Sequence, residues 1–296
     1  MASPIATGIF GLASATSWGA GDFSGGLATR RAPVFTVAAV SKFASLAAML
    51  LLAWLRAEHV PGPDALAWAG AAGVAGAVGL ISLYQALAVG VMGIAAPVSA
   101  MIAAAMPVGF AAISEGLPTG WQFVGFGLAM LAVWLISRPP ASTSSQGRRS
   151  PSGEEGRPRG LGLATLAGIG FGGFYIFISR ARTDVIFWPL AASQFITLVT
   201  VLAIAGAALL GRHENRLQTR IDAVPLMLLA GLLDAGGNAF FLLAEHTGRL
   251  DVAAVLASLY PASTVVLARV MLNEQVSRGQ ALGIIAALLS IPLIAV

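Results

Sequence analysis

The chain has no cysteine, one lysine, three histidines and only 10% charged residues in a length of 296. Each scarcity removes a class of function. Without cysteine there is no disulfide framework, thiolate nucleophile or thiolate metal site. His59, His213 and His246 are scattered rather than grouped as metal ligands would be. No GxSxG, P-loop or paired-acid motif occurs, so neither an enzyme constellation nor an ATP site is expected, and no cofactor is implied. Soluble domains carry about 25% charged residues. What fills the gap is 57% hydrophobic residues, with a mean hydropathy of +0.84. No soluble fold of this length can hide that much apolar surface, so the expected solvent is lipid. The net charge of +4 comes from basic residues lying mainly between apolar runs. That pattern orients a chain in a membrane and does not suit nucleic-acid binding.

One stretch has no apolar run. Residues 138–160 read RPPASTSSQGRRSPSGEEGRPRG, a composition that cannot offset the entropy of ordering. It is expected to be a flexible polar linker between a first repeat, 1–137, and a second, 161–296. The flanks match in order. With a shift of 158, Gly73 falls on Gly231, Gly79 on Gly237, Gln122 on Gln280 and Gly125 on Gly283. Near the start of each half the shift is 154, setting Gly8, Gly19 and Phe23 on Gly162, Gly173 and Phe177. Between them, Ser41-Lys42-Phe43 faces Ser193-Gln194-Phe195.

Ten segments are apolar over about 20 residues, the length that crosses a bilayer. They run 5–27, 34–55, 65–88, 92–114 and 120–137, then 161–180, 185–210, 221–243, 250–272 and 278–296. The fold expected is all-α and integral to the membrane. Five spans per half is odd, so the second repeat must be inverted relative to the first, a build that puts a substrate site between the halves. If the N-terminus is outside, eleven loop arginines are cytoplasmic and four (Arg56, Arg180, Arg182 and Arg249) are outside. This favours both termini outside and the linker in the cytoplasm. The N-terminal stretch lacks a basic region and is read as the first span.

Ionisable groups inside spans are the sharpest pointers to function, because each costs about 2.5–3.5 kcal/mol at the bilayer centre. Lys42 lies well inside the second span, and Asp22 reaches a similar depth on the first. They are expected to pair, either as a structural bridge or as charges lining a path. Gln194 repeats the polarity of Lys42 in the second half. Asp234 and Asn238, four apart, share a helix face. A lone carboxylate there must find a partner or protonate, so Asp234 suits proton coupling or a helix-helix bond. Pro261 should bend its helix. Glu115 and Glu274 precede tight turns, where a glutamate can cap the next helix or pair with Arg269 or Arg278. The tryptophans mostly sit near span ends, as an interfacial belt would have them, with Trp18 the exception.

From Leu250 to Val296 the chain resembles the second half of an EamA-type transporter of the drug/metabolite transporter superfamily. Pro261, thirteen residues before Glu274, with Gln280 and Gly283, carries the likeness. Glu115, Gln122 and Gly125 repeat it in the first half, where Ile102 stands in the proline's place. SWGAGDF, with Trp18 and Gly19, resembles the first helix of such proteins, and WPLAASQF the seventh. The resemblance implies ten helices in two inverted repeats and export of amino acids or other small metabolites. It leaves open import of sugars or nucleotide-sugars; a lipid-modifying membrane enzyme and a membrane scaffold are rivals of other classes. Partners expected are a small-molecule substrate and the lipid bilayer of a bacterial-type inner membrane. Trp18, Asp22, Lys42, Gln194, Asp234 and Asn238 are the candidate path residues, and Glu115, Pro261 and Glu274 the structural ones.

Overall fold

A computed structural model describes residues 4–88, 92–137, 156–181, 183–211, 220–272 and 277–294. All regular structure among these residues is helical. The helices are α1 (Pro4–Thr29), α2 (Val34–Leu55), α3 (Pro63–Ala88), α4 (Met92–Ser114), α5 (Gly120–Ile136), α6 (Gly156–Arg180), α7 (Phe187–Gly211), α8 (Val224–Thr247), α9 (Leu250–Ala257), α10 (Tyr260–Leu272) and α11 (Arg278–Ile294). Most of the linker lies outside the described residues, but its last five residues, 156–160, open α6.

Six described helical stretches are long and apolar enough to cross a membrane: Val34–Leu55, Pro63–Leu83, Gly160–Arg180, Phe187–Ala207, Ile221–Thr247 and Leu250–Met271. Three shorter apolar helices, Val98–Ser114, Gly120–Ile136 and Arg278–Ile294, accompany them. Their outer faces are greasy. Ile113, Trp54, Leu229 and Leu288 are all exposed, a surface that water would not tolerate and acyl chains solvate. Trp54, Trp68, Trp121 and Trp134 are exposed near helix ends, whereas Trp18 is interior.

The two halves interlock. The first helix of each packs along the third helix of the other, α1 on α8 and α6 on α3. The fifth helices, α5 and α11, pack on each other. These contacts are reciprocal, as a two-fold relation between the halves requires. A Cβ added at Gly125 would lie 2.7 Å from Ile294, and one added at Gly283 would lie 2.7 Å from Ile136. A Cβ at Gly73 would strike the Ser193 carbonyl, and one at Gly231 the Ser41 carbonyl. Such approaches, possible only for glycine, let hydroxyls bond the facing backbone. Ser14 donates to the Gly237 carbonyl at 2.8 Å, Ser17 to Leu233 at 2.7 Å, and Thr197 to Gly73 at 3.0 Å. In lipid, where apolar burial gives helices no reason to associate, close packing and such bonds hold them.

The fifth helices also start alike. Thr119 accepts from the Gln122 amide, and the Gln122 side chain accepts from the Thr119 amide, a full capping box. Ser277 and Gln280 repeat both bonds at the head of α11. Glu115, expected as a candidate cap, does not cap α5; Thr119 does, because its hydroxyl sits three residues before Gln122 where the helix begins. Glu274 lies outside the described residues. The segment read as one ninth span is broken: α9 ends at Ala257 and α10 begins at Tyr260. Pro261 has no amide hydrogen to give the Ala257 carbonyl, and the break at Ser258–Leu259 falls just before it. In α4, Pro107 is accommodated without a break.

Candidate functional site

Lys42 and Gln194 occupy matching places on α2 and α7 and approach α8 from both sides. The Lys42 ammonium lies 3.0 Å from Asp234 Oδ2, and Gln194 Nε2 donates to the same oxygen at 2.7 Å. Ser45, one helical turn beyond Lys42, donates to it as well, at 2.9 Å. Three donors therefore converge on one carboxylate oxygen, with the Lys42 and Asp234 side chains 17% and 24% exposed. Asp234 Oδ1 receives no hydrogen bond among the described residues.

The pairing of Lys42 with Asp22 is corrected by this geometry. The helix that follows α1 in sequence barely touches it in space; α2 lies along α7 and α8 instead. Lys42 consequently faces Asp234, while Asp22 forms no hydrogen bond or ion pair among the described residues and its side chain is exposed. That exposure is not to lipid. Asp22 is within Coulombic reach of Lys42 on α2, Asp234 on α8, Tyr175 on α6 and Tyr260 on α10. The neighbouring Gly21 packs against Leu233 and Asp234 of α8, and Gly19 against Tyr260 and Ser263 of α10, so Asp22 borders the space between these helices.

One turn before Asp22, the Trp18 indole lies 5.7 Å from the Tyr175 ring and 6.0 Å from Phe241, and Tyr175 stacks on Phe241 at 4.7 Å. Gly237 makes room for this layer, since a Cβ there would run into the indole. The break between α9 and α10 abuts the same region. A Cβ at Gly19 would lie 2.6 Å from Ser263, and Thr264 donates to the Gly19 carbonyl at 3.0 Å. Asn238 is buried, but its amide donates to the Asp234 carbonyl of its own helix at 2.6 Å.

Of the six candidate path residues, Lys42, Gln194 and Asp234 are in direct contact, Asp22 and Trp18 border the same space, and Asn238 is turned to its own backbone. Ser45, Tyr175 and Tyr260 were not foreseen. The spacing of Ser45, three after Lys42 on one helix face, carried a signal. The two tyrosines carried none beyond their rarity, since only three occur in the chain. No group of three or more metal-ligating side chains occurs among the described residues.

A model of the EamA-like transporter family matches residues 6–138 and 158–296. The chain belongs to that family. The two matched blocks are its two repeats, and the family makes it a multi-pass membrane transporter acting on small solutes. A solved structure titled only as a crystal structure of a protein is similar over 97% of this chain and 95% of its own, with a TM-score of 0.74 and 14% identity. At that identity the likeness is one of fold alone. No curated protein matches the chain.

Away from the centre, two contacts brace the helix ends. The Glu58 carboxylate accepts from the backbone amides of Ile186, Phe187 and Trp188 at 2.9–3.3 Å, satisfying the open donors at the head of α7. Arg249 bonds fully buried Asp251 at 2.8 Å and reaches the Gly116 carbonyl at 2.7 Å, tying α9 to the turn between α4 and α5. These hydrogen bonds to Asp251 hold the guanidinium above its ordinary range, so its charge is permanent.

Proposed function

We propose that the protein is a secondary-active carrier that exports small organic metabolites, amino acids or related compounds, across a bacterial-type inner membrane by alternating access. The observation that carries this reading is the polar centre built by both halves. Asp234 is held by Lys42 from one repeat and Gln194 from the other, and the exposed carboxylate of Asp22 stands beside it. A helix broken at Ser258–Leu259 passes the same point, the feature that discontinuous carrier helices use to meet a solute at midplane. Ten spans, both termini outside and a cytoplasmic linker form the topology that goes with this reading, supported by the distribution of loop arginines. Asp22, within reach of water, is available for proton coupling.

The test is counterflow into liposomes holding the purified protein, across a panel of amino acids, amines, organic acids and sugars. Saturable exchange of at least one solute without ATP is the expected result. Exchange of none, with the protein folded and inserted, overturns the reading.

A further inference from the structure

Among the described residues, the central site holds more carboxylates than cations. Its one cation among the described residues, Lys42, is bonded to Asp234, and that pair carries no net charge. Asp22 adds a second carboxylate with no partner among the described residues. Two carboxylates stand against one ammonium. Ser45, Gln194 and Lys42 all bond Asp234 Oδ2, and among the described residues Oδ1 and both Asp22 oxygens accept no hydrogen bond. A solute carboxylate would meet two negative charges and compete with Asp234 for Lys42. A solute ammonium would meet open acceptors and supply the missing charge. Partly exposed Trp18, one turn before Asp22, and Tyr260, whose backbone abuts Gly19, bring aromatic rings to this region, and such rings attract a cation and shelter an apolar body.

We propose that this site selects an organic monocation: an amine or quaternary ammonium group bound at Asp22 and the free oxygen of Asp234, with its apolar body against Trp18 and Tyr260. The inference rests on the carrier reading and narrows its substrate class from amino acids in general to cationic amines. Zwitterions are disfavoured because their carboxylate would meet the Asp22 and Asp234 carboxylates with one ammonium, Lys42, between them.

The experiment compares three probes that share a phenyl ring on the full-length protein: benzyltrimethylammonium, benzyl alcohol and benzoate. Binding to purified protein in detergent is measured by displacement calorimetry, and counterflow in liposomes is measured in parallel. Benzyltrimethylammonium should bind at least tenfold more tightly than either counterpart. Asp22→Asn, which preserves shape, should abolish that preference, and Asp22→Glu should restore a large part of it. Melting curves for both variants establish that they are folded. Tighter binding of benzoate or benzyl alcohol overturns the cation assignment, as does an unchanged preference in folded Asp22→Asn. Counterflow of an anionic or neutral solute with no cation preference would overturn this inference while leaving the carrier reading standing. Absence of counterflow for every solute in the wider panel would instead remove the carrier reading itself.

Discussion

The two halves of the chain agree in their scaffold and differ in their chemistry. Gly73 and Gly231 admit the facing carbonyls of Ser193 and Ser41, and Gly125 and Gly283 admit Ile294 and Ile136. Thr119–Gln122 and Ser277–Gln280 begin the fifth helices with the same pair of bonds. Against that agreement, Lys42 corresponds to Gln194, Asp234 to Gly76 by the shift of 158, and Asp22 to Ile176 by the shift of 154. Arg249 and Asp251 correspond to Val91 and Gly93. The repeated residues fix how helices approach. Of the unrepeated ones, Lys42, Asp234 and Asp22 put charge into the space those helices enclose, while Arg249 and Asp251 brace a helix end. The duplicated chain thus keeps its packing symmetric and breaks that symmetry at its polar centre.

The largest effect should come from the asymmetric brace. Asp251 is fully buried and its ion-pair partner is Arg249. Arg249→Gln would leave that carboxylate buried and uncompensated, at a cost of about 3–5 kcal/mol. The apparent Tm in mild detergent should fall steeply. Arg249→Gln combined with Asp251→Asn should recover a large part of the loss, because the stranded charge is gone. A single variant as stable as wild type would mean that the brace contributes nothing and that the second half does not depend on it.

The central pair should respond more mildly, for a reason visible in its partners. Lys42→Met removes one of three donors to Asp234 Oδ2 and leaves Ser45 and Gln194 in place. A loss of about 2 kcal/mol is expected, less than for fully buried Asp251, which would keep only the Val252 amide as donor among the described residues. Asp234→Asn should cost a similar amount, and the double variant should be more stable than the sum of the singles predicts. Urea titration in detergent reads the coupling. Strict additivity would show that the ammonium and the carboxylate do not depend on each other, and would put Lys42 back in contention as a partner of Asp22.

How far this was legible in sequence follows the same division. The helices stand close to where hydropathy put them, because a run of about 20 apolar residues has few alternatives in lipid. The reciprocal glycines were legible too, as matches at a fixed shift. The partner of Lys42 was not. Sequence proximity favoured Asp22, on the neighbouring helix, but the halves exchange their first helices, so α2 meets α7 and α8 while α1 lies elsewhere along α8. No local pattern encodes which helix faces which. The break at Ser258–Leu259 was half legible: Pro261 announced a disturbance, while α4 runs unbroken through Pro107. The capping boxes were fully legible as Thr119 or Ser277 followed three residues later by glutamine, a more specific signal than the nearby glutamates.

Those boxes give the smallest predicted effect and the strictest test of symmetric scaffolding. Thr119→Ala removes the acceptor for the Gln122 amide, and Ser277→Ala removes the acceptor for the Gln280 amide. Losing such a cap costs about 1 kcal/mol. Gln122 and Gln280 are equally buried, at 8% exposure each, so their amides should miss the hydroxyl equally. The two boxes stand at opposite ends of the α5–α11 pair, because Gly125 near the head of α5 meets Ile294 at the tail of α11. A helix of this length puts them about 25 Å apart. At that separation their effects should add within about 0.5 kcal/mol. Folded fractions of both singles and the double, titrated with a denaturing detergent, should give two equal steps and their sum. One silent variant beside one costly one would show that the shared bonds carry unequal weight, and that the scaffold is symmetric in form but not in energy.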